Sequence, residues 1–352
     1  MRLRRLAALP CIALLAGACS SATSGTSAQP SPSASAGGAV RLQDVRATLM
    51  ALADDSMLGR GTGSEGSARA ARMIAGRMRE LGLEPAGDSG YFQRVPLIDH
   101  GTGTLGMTLA PSFTAQPGAG GRLVTGVNVL GILRGGDSRL RDSVVLVDAH
   151  YDHLGIGKAV EGDSIYNGAD DDASGVTAVL EIARALAAGP RPRRTILFVT
   201  TTGEEEGLLG TQWMIQHPPL PLASIQANLE IEMIGRPDPL AGGPGKGWLT
   251  GYERSTMGQM LQQAHIPLVP DPRPRQNFFE RSDNIAFARM GIPAHTLSSY
   301  NLHSDYHQPQ DESSRIDFGH MTAVIDAAAR AVRMLADGPA PQWVPGGRPS
   351  PE

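Results

Sequence analysis

Two strand patterns, the continuous apolar run Val144-Val145-Leu146-Val147 and Thr195-Ile196-Leu197-Phe198-Val199, constrain the fold of this chain most, because each runs into a cluster of acids or imidazoles. A run that is apolar at consecutive positions suits a strand buried on both faces, as in the interior of a parallel sheet. The first ends at Asp148-Ala149-His150 and continues into Tyr151-Asp152-His153; the second enters Glu204-Glu205-Glu206. A short strand pattern leads to Glu230-Ile231-Glu232, and Pro293 to Leu297 leads toward His303 and His307. A fifth cluster, Asp170-Asp171-Asp172, precedes a helix. Open α/β sheets bind ligands at the carboxyl ends of their strands, and four of the five clusters sit at such ends. The expectation is a single α/β domain with a mostly parallel or mixed twisted sheet and helices on both faces.

Helical spacing covers Leu42 to Leu52, Ser67 to Leu81, Val176 to Leu186 and Phe318 to Leu335, with a further helix expected after Gly207. The stretch Gly59-Arg60-Gly61-Thr62-Gly63-Ser64-Glu65-Gly66 contains a formal G-x-G-x-x-G. A helical pattern precedes it and no βαβ pattern surrounds it, so it reads as a flexible loop and not as a dinucleotide site. Gly101 to Gly126, low in charge and rich in Gly, Thr and Pro, reads as turns with short edge strands.

Residues 1–18 have the layout of a secretory signal, with Arg2, Arg4 and Arg5 before an apolar stretch. Leu15-Ala16-Gly17-Ala18-Cys19 resembles a lipobox, so Cys19 is expected to carry a lipid anchor, with residues 19–39 as a disordered tether of Ser, Ala, Thr, Gly, Pro and Gln. Ala16 stands where such motifs usually place a bulky aliphatic residue. The domain is expected over 40–337, followed by a Pro/Gly-rich tail, 338–352, that frays. These features predict an exported protein of the cell envelope. Cys11 and Cys19 are the only cysteines, so beyond the signal no thiolate is available for a metal or for catalysis. With 31 basic and 35 acidic residues the net charge is −4, and it is more negative without the signal, which disfavours a nucleic-acid partner.

Hydrolysis of an amide at neutral pH needs a strong nucleophile and a Lewis acid, and two divalent cations sharing a water supply both. Without thiolates the candidate ligands are His, Asp and Glu, which suit zinc. In His150-x-Asp152 the carboxylate can orient the imidazole. Three consecutive acids at Asp170 to Asp172 would repel one another unless a cation is bound, although Asp172 is also placed to cap the following helix. Taken singly, Glu204 to Glu206 would be a solvated helix start and His303 or His307 a loop histidine. Five such clusters in one order point to a metal centre.

These residues resemble the M28 family of zinc aminopeptidases from about Gly59 to Leu335. The similarity is carried by Asp148 to Gly155, Asn167 to Gly175, Glu204 to Gly210, Asn228 to Arg236, Ser282-Asp283-Asn284 and Asp305-Tyr306-His307-Gln308-Pro309. The resemblance implies a zinc-exopeptidase architecture, peptide substrates and two Zn2+ ions. It makes His150 a ligand of one metal, Asp171 the bridge, Glu205 a ligand together with His307 or His150, and Glu232 a ligand of the remaining metal. Glu204 would be the general base and then acid, Asp152 would orient His150, and a cis peptide would link Asp171 to Asp172. Departures are Glu232 where many relatives have Asp, Asn284 where His often follows, and Phe278 and Phe279 where some present a tyrosine. An oxyanion donor would then be Tyr300, Tyr306, His303 or the metal. Rival readings are a glutaminyl cyclase, a carboxypeptidase or dipeptidase using Arg275 or Arg281, and a binding lipoprotein without catalysis. No G-x-S-x-G supports a serine hydrolase.

Overall fold

A computed structural model describes residues 38–101 and 105–351. The signal segment, Cys19 and the tether up to residue 37 lie outside the described residues. Gly38 N–H donates to Ala185 O (2.8 Å) and Arg184 Nη2 to Ala39 O (2.6 Å), so the last two residues of the expected tether are docked.

The helices are α1 (Leu42–Leu52), α2 (Glu65–Glu80), α3 (Ser174–Ala187), α4 (Leu209–Gln216), α5 (Met257–Gln263), α6 (Asn284–Arg289) and α7 (Phe318–Asp337). The strands are β1 (Glu84–Pro85), β2 (Phe92–Asp99), β3 (Met107–Leu109), β4 (Arg122–Leu133), β5 (Val144–His150), β6 (Gly155–Val160), β7 (Asp163–Tyr166), β8 (Thr195–Thr201), β9 (Ile225–Ile231), β10 (Gly247–Leu249), β11 (Leu268–Pro270) and β12 (Ala294–Ser298). The starts of α2 and α7 follow the capping chemistry of their sequences, and an aspartate braces the first turn of α3. Ser64 accepts from Ser67 N, Asp317 from His320 N, and Asp172 from Gly175 N, the last as expected.

The main sheet runs β11-β10-β12-β9-β5-β8-β4-β2-β3, with β1 beside β4, and β6 pairs with β7 separately. Its centre, β12-β9-β5-β8, is parallel throughout. Beyond β8 the pairing turns antiparallel through β4, β2 and β3, so the sheet is mixed. Every residue of β5 and β8 is buried, and alternate side chains serve two layers. Val145, Val147, Ile196 and Phe198 pack toward α1, α3 and α7; Val144, Leu146, Leu197 and Val199 pack with Met214 of α4 and Ile285 and Phe287 of α6. Each such side chain contributes about 1.5–3 kcal/mol on burial.

Three sequence expectations are corrected. The glycine-rich stretch after α1 is ordered: a 3-10 turn over Asp55–Arg60 carries Arg60, fully buried, into the interior. The expected turns before Gly126 extend into the twelve-residue strand β4, the longest of the sheet. The described C-terminal residues, 338–351, are anchored at Trp343 where fraying was expected: its Nε1 donates to Gly291 O (2.9 Å) and its ring packs on Phe279 and His295.

Candidate metal centre

Because β8, β5, β9 and β12 run parallel, their C-terminal ends emerge on one side, and the polar clusters that follow them converge there. His150 is the last residue of β5, Glu204 and Glu205 follow β8 across Gly203, Glu232 follows β9, and His307 lies in the loop after β12. Asp171 sits in the turn Ala169–Ala173 that opens α3, where the Asp171–Asp172 peptide is cis. That turn depends on Gly168, which has φ +53° and where a Cβ would lie 2.6 Å from the His153 ring.

Two donor groups share Asp171. One is His150, Asp171 and Glu232; the other is His153, Asp171, Glu205 and His307. His150 Nε2 lies 3.2 Å from Asp171 Oδ1, while His307 Nε2 lies 3.2 Å from Asp171 Oδ2 and 3.1 Å from Glu205 Oε2. His153 Nδ1 is 2.8 Å from Glu205 Oε1. All five residues expected as ligands are therefore brought together, and Glu205 falls with His307 and apart from His150. His153 joins them, a residue within the HYDH cluster to which the spacing assigns no role. His150 Nε2, Asp171 Oδ1 and His307 Nε2 are buried without a hydrogen-bond partner. Buried orphan polar atoms are costly, and N and O donors converging in this way fit divalent zinc.

The surrounding residues hold these donors in place. His150 Nδ1 lies 3.1 Å from the Asp152 carbonyl oxygen and 3.8 Å from its carboxylate, so the ring is oriented by the main chain and not by the side chain expected to do so. The Asp152 carboxylate instead accepts from Thr62 Oγ1 (2.8 Å), Glu204 N (3.2 Å) and Glu205 N (3.4 Å), pinning the turn that carries both glutamates. Asp311 performs the same service for the aspartate turn by accepting from the main-chain N–H groups of Asp170 and Asp171, and Arg236 braces it. Arg60 donates to the carbonyls of Tyr151 (2.8 Å), Leu52 (2.8 Å), Asn167 (2.6 Å) and Gly168 (2.9 Å), tying both loops together. Asp311 lies in an unremarkable polar loop, and no spacing marks it; Arg60 was legible only as part of a glycine-rich stretch.

Without a cation the cluster retains protons. Burial presses His307 downward, but the adjacent carboxylates of Asp171 and Glu205 outweigh it and raise the imidazole to about 10. Burial and the Asp171 charge push Glu205 up, yet His153 and His307 hold it at about 2. For Glu204 burial prevails over the opposing charge of His150 and, with the charges of Glu232, Glu205 and Asp283, raises it well above the usual carboxylate range.

Glu204, Glu205, Glu232 and Asp171 form one side of a cavity of about 270 Å3 whose other walls include Met233, Trp248, Phe278, Tyr300 and Tyr306. Trp248 stacks on Phe278 with ring centres 5.3 Å apart. Tyr300 and Tyr306 thus face the cavity, whereas His303 is turned to Asp170, with Nε2 3.0 Å from Oδ2. Arg281 lies at this cavity, over the Phe278 ring, and Arg275 does not line it. A wider concavity borders the other side, lined by Leu58, Gly61, His153, Ile156, Tyr166 and His307. The histidines outside these clusters are held by ordinary contacts: His320 accepts from Gly245 N, and His217 stacks on Trp213.

The family model for peptidase family M28 matches residues 128–332. A probable zinc metalloprotease of Pyrenophora tritici-repentis is 36% identical over 128 residues, which are 35% of this chain and 28% of that protein, so the chain spans little more than a quarter of that relative. Among solved structures, an aminopeptidase from Aneurinibacillus sp. strain AM-1 superposes with a TM-score of 0.62 at 16% identity, covering 87% of this chain and 96% of its own. A zinc aminopeptidase from Bacillus subtilis gives 0.61 at 17%, covering 85% and 96%, and a glutaminyl cyclase from Porphyromonas gingivalis 0.60 at 16%, covering 84% and 98%. These likenesses establish the fold. The family match takes in more than half of the sequence and every member of both donor groups, and the chain belongs to peptidase family M28.

Proposed function

We propose that this peptidase is an aminopeptidase that removes the N-terminal residue of peptides at a two-zinc centre. The observation that carries the reading is the pair of donor groups sharing Asp171 at the edge of an aromatic-walled cavity also lined by Glu204. His150, Asp171 and Glu232 would hold one ion, and Asp171, Glu205 and His307 the other. When bound, the ions supply a Lewis acid for the scissile carbonyl and make water a nucleophile at neutral pH.

The chain's own residues do the rest. Glu204 takes a proton from the attacking water on a carboxylate oxygen and passes it to the leaving amine; a carboxylate whose basicity is raised by burial suits that exchange. Asp152 keeps Glu204 in place through its backbone N–H, and the Asp152 carbonyl fixes the tautomer of His150. The substrate's α-ammonium is attracted to Glu204 and Glu232, while its first side chain enters the cavity between Trp248, Phe278 and Tyr300. A dry cavity of about 150 Å3 holds benzene, so 270 Å3 admits a large apolar or aromatic residue. Tyr306 and Tyr300 are the hydroxyls at hand for the carbonyl oxygen. The same proposal places the enzyme outside the cytoplasm, on the strength of the signal-like residues 1–18 and Cys19.

The test is cleavage by the purified chain of peptides with free and N-acetylated termini, including one beginning with glutamine, with and without a chelator. Chelator-sensitive release from free termini alone supports the proposal. Cleavage of blocked peptides, or ring closure of the glutamine peptide without release of a residue, rejects it.

A further inference from the structure

The two donor groups are unequal. Among the described residues one offers three side chains and the other four, because His153 stands beside Glu205 and His307. A tetrahedral zinc site with bonds of 2.0–2.2 Å places its ligand atoms about 3.3–3.6 Å apart. Around the larger group the separations are 2.8 Å (His153 Nδ1 to Glu205 Oε1), 3.1 Å (His307 Nε2 to Glu205 Oε2), 3.2 Å (His307 Nε2 to Asp171 Oδ2) and 3.9 Å (His153 Nδ1 to Asp171 Oδ2). They bracket the tetrahedral edge. Two imidazoles on one such ion have ring centres about 5 Å apart, and those of His153 and His307 are 5.6 Å apart, at 72° to each other.

The approach is also enforced. His153 N–H bonds to Arg60 O, residues 61 and 153 form a β-bridge, and the side chain is almost fully buried. Gly168 leaves the room the ring occupies. His153 Nε2 lacks a hydrogen-bond partner whichever nitrogen carries the proton, so that atom does not decide between ligation and a hydrogen bond to Glu205. The separations from Asp171 and His307 do decide, since a histidine serving only Glu205 has no reason to be within 4 Å of the bridging carboxylate.

We propose that His153 is a side-chain ligand of the ion held by Asp171, Glu205 and His307, so that this ion is enclosed by four protein donors while the ion at His150, Asp171 and Glu232 keeps the open position. Four-coordinate sites made wholly of side chains are the structural kind of zinc site, and sites with three protein ligands and a vacant position are the catalytic kind. The centre then divides its labour. Four side chains would hold the first ion more tightly and fix Asp171, while His150, Asp171 and Glu232 would leave their ion a position for water and the substrate carbonyl. The inference is independent of which peptide is cut.

The test reads the metal and not turnover. X-ray absorption of the wild-type chain loaded with one equivalent of zinc counts imidazoles on the tighter ion. Two imidazoles, with oxygen donors completing a four-coordinate shell, are expected; a single imidazole overturns the proposal. His153→Ala loaded in the same way is expected to show one imidazole and a loss of more than about 100-fold in the affinity of the first equivalent, beyond the 10–100-fold typical for residues that only orient a ligand. Two imidazoles persisting in that variant also overturn it. If the variant does not fold, the wild-type spectrum decides alone.

Discussion

Two sets of buried carboxylates occupy the same end of the sheet in opposite states. Asp171 and Glu205 face imidazoles. Burial presses both upward, but His150, His153 and His307 hold Asp171 well below its ordinary range and Glu205 at about 2. Two residues before Glu232 in sequence, Glu230 faces only hydroxyls, accepting from Ser282 Oγ (2.5 Å) and from Thr296 Oγ1, while Asp148 faces Asn228 and Asp283 faces Thr201. Burial, joined by repulsion from Glu232, Asp148 and Asp283, raises Glu230 well above the usual range. Neutral donors do not offset the desolvation of a charge, whereas a cation or imidazolium does. The first set is built to be ionised against positive charge, and the second is stable as neutral acids.

The comparison can be broken at four points. Glu204→Gln, which lies between the two sets, is expected to lower kcat by about 10²–10⁴-fold or more while both zinc equivalents stay bound; turnover within tenfold of wild type rejects its role as proton carrier. Glu205→Gln removes an ionised donor, so isothermal titration is expected to show a loss of more than about 100-fold in affinity for one zinc equivalent.

A third prediction concerns pH. In the metal-free protein Glu232 is raised by burial to about 7, and His307, despite burial, to about 10 by its carboxylate partners. The raised acid favours the fold below its unfolded value near 4.5, and that advantage disappears as pH rises toward 7. The raised imidazole contributes fully below 6.5, and its contribution is lost as pH rises through 10. Calorimetry of metal-free protein should therefore show Tm falling from pH 5 to pH 10, with the zinc-loaded protein far less sensitive over that range; parallel curves contradict the account. The smallest effect is expected for Glu230→Gln. An amide replaces a neutral acid, so stability to urea should change by less than about 1 kcal/mol and zinc affinity should be retained. A large loss in either would move Glu230 into the ionised set.

The inner strands β5 and β8 were legible because an apolar run leads straight to the polar end of each, which makes the run and the ligand cluster one signal, whereas β9 carries Gln226, Asn228 and Glu230 along its length. Strand β4 was not legible, since its first residues, up to Gly126, fall in a stretch that reads as turns with short edge strands. Gly131 is there because α2 and the segment after it approach so closely that a Cβ would lie 2.9 Å from Leu83 and 3.0 Å from Met78, and the polar Asn128 is buried because it bonds to Thr202 N and Gly210 O. Both are tertiary reasons that no periodicity encodes. The ligands separate in the same way. His150 and Glu205 follow strands and could be read from them, whereas His153 lies three residues beyond its strand, where alternation no longer predicts direction.

The buried guanidinium of Arg60 sets a boundary that differs from the one drawn by similarity. The family model's match begins at residue 128, and a gene fragment trimmed to residues 128–332 would encode every donor atom of the centre. It would lack the side chain that clasps Tyr151, Asn167 and Gly168 across 91 to 108 residues of sequence. The smallest heritable unit of this active centre is therefore longer than its recognisable motif. An insertion or splice that separates the segment ending at Arg60 from the rest would leave the ligands intact as letters and unassembled as a site.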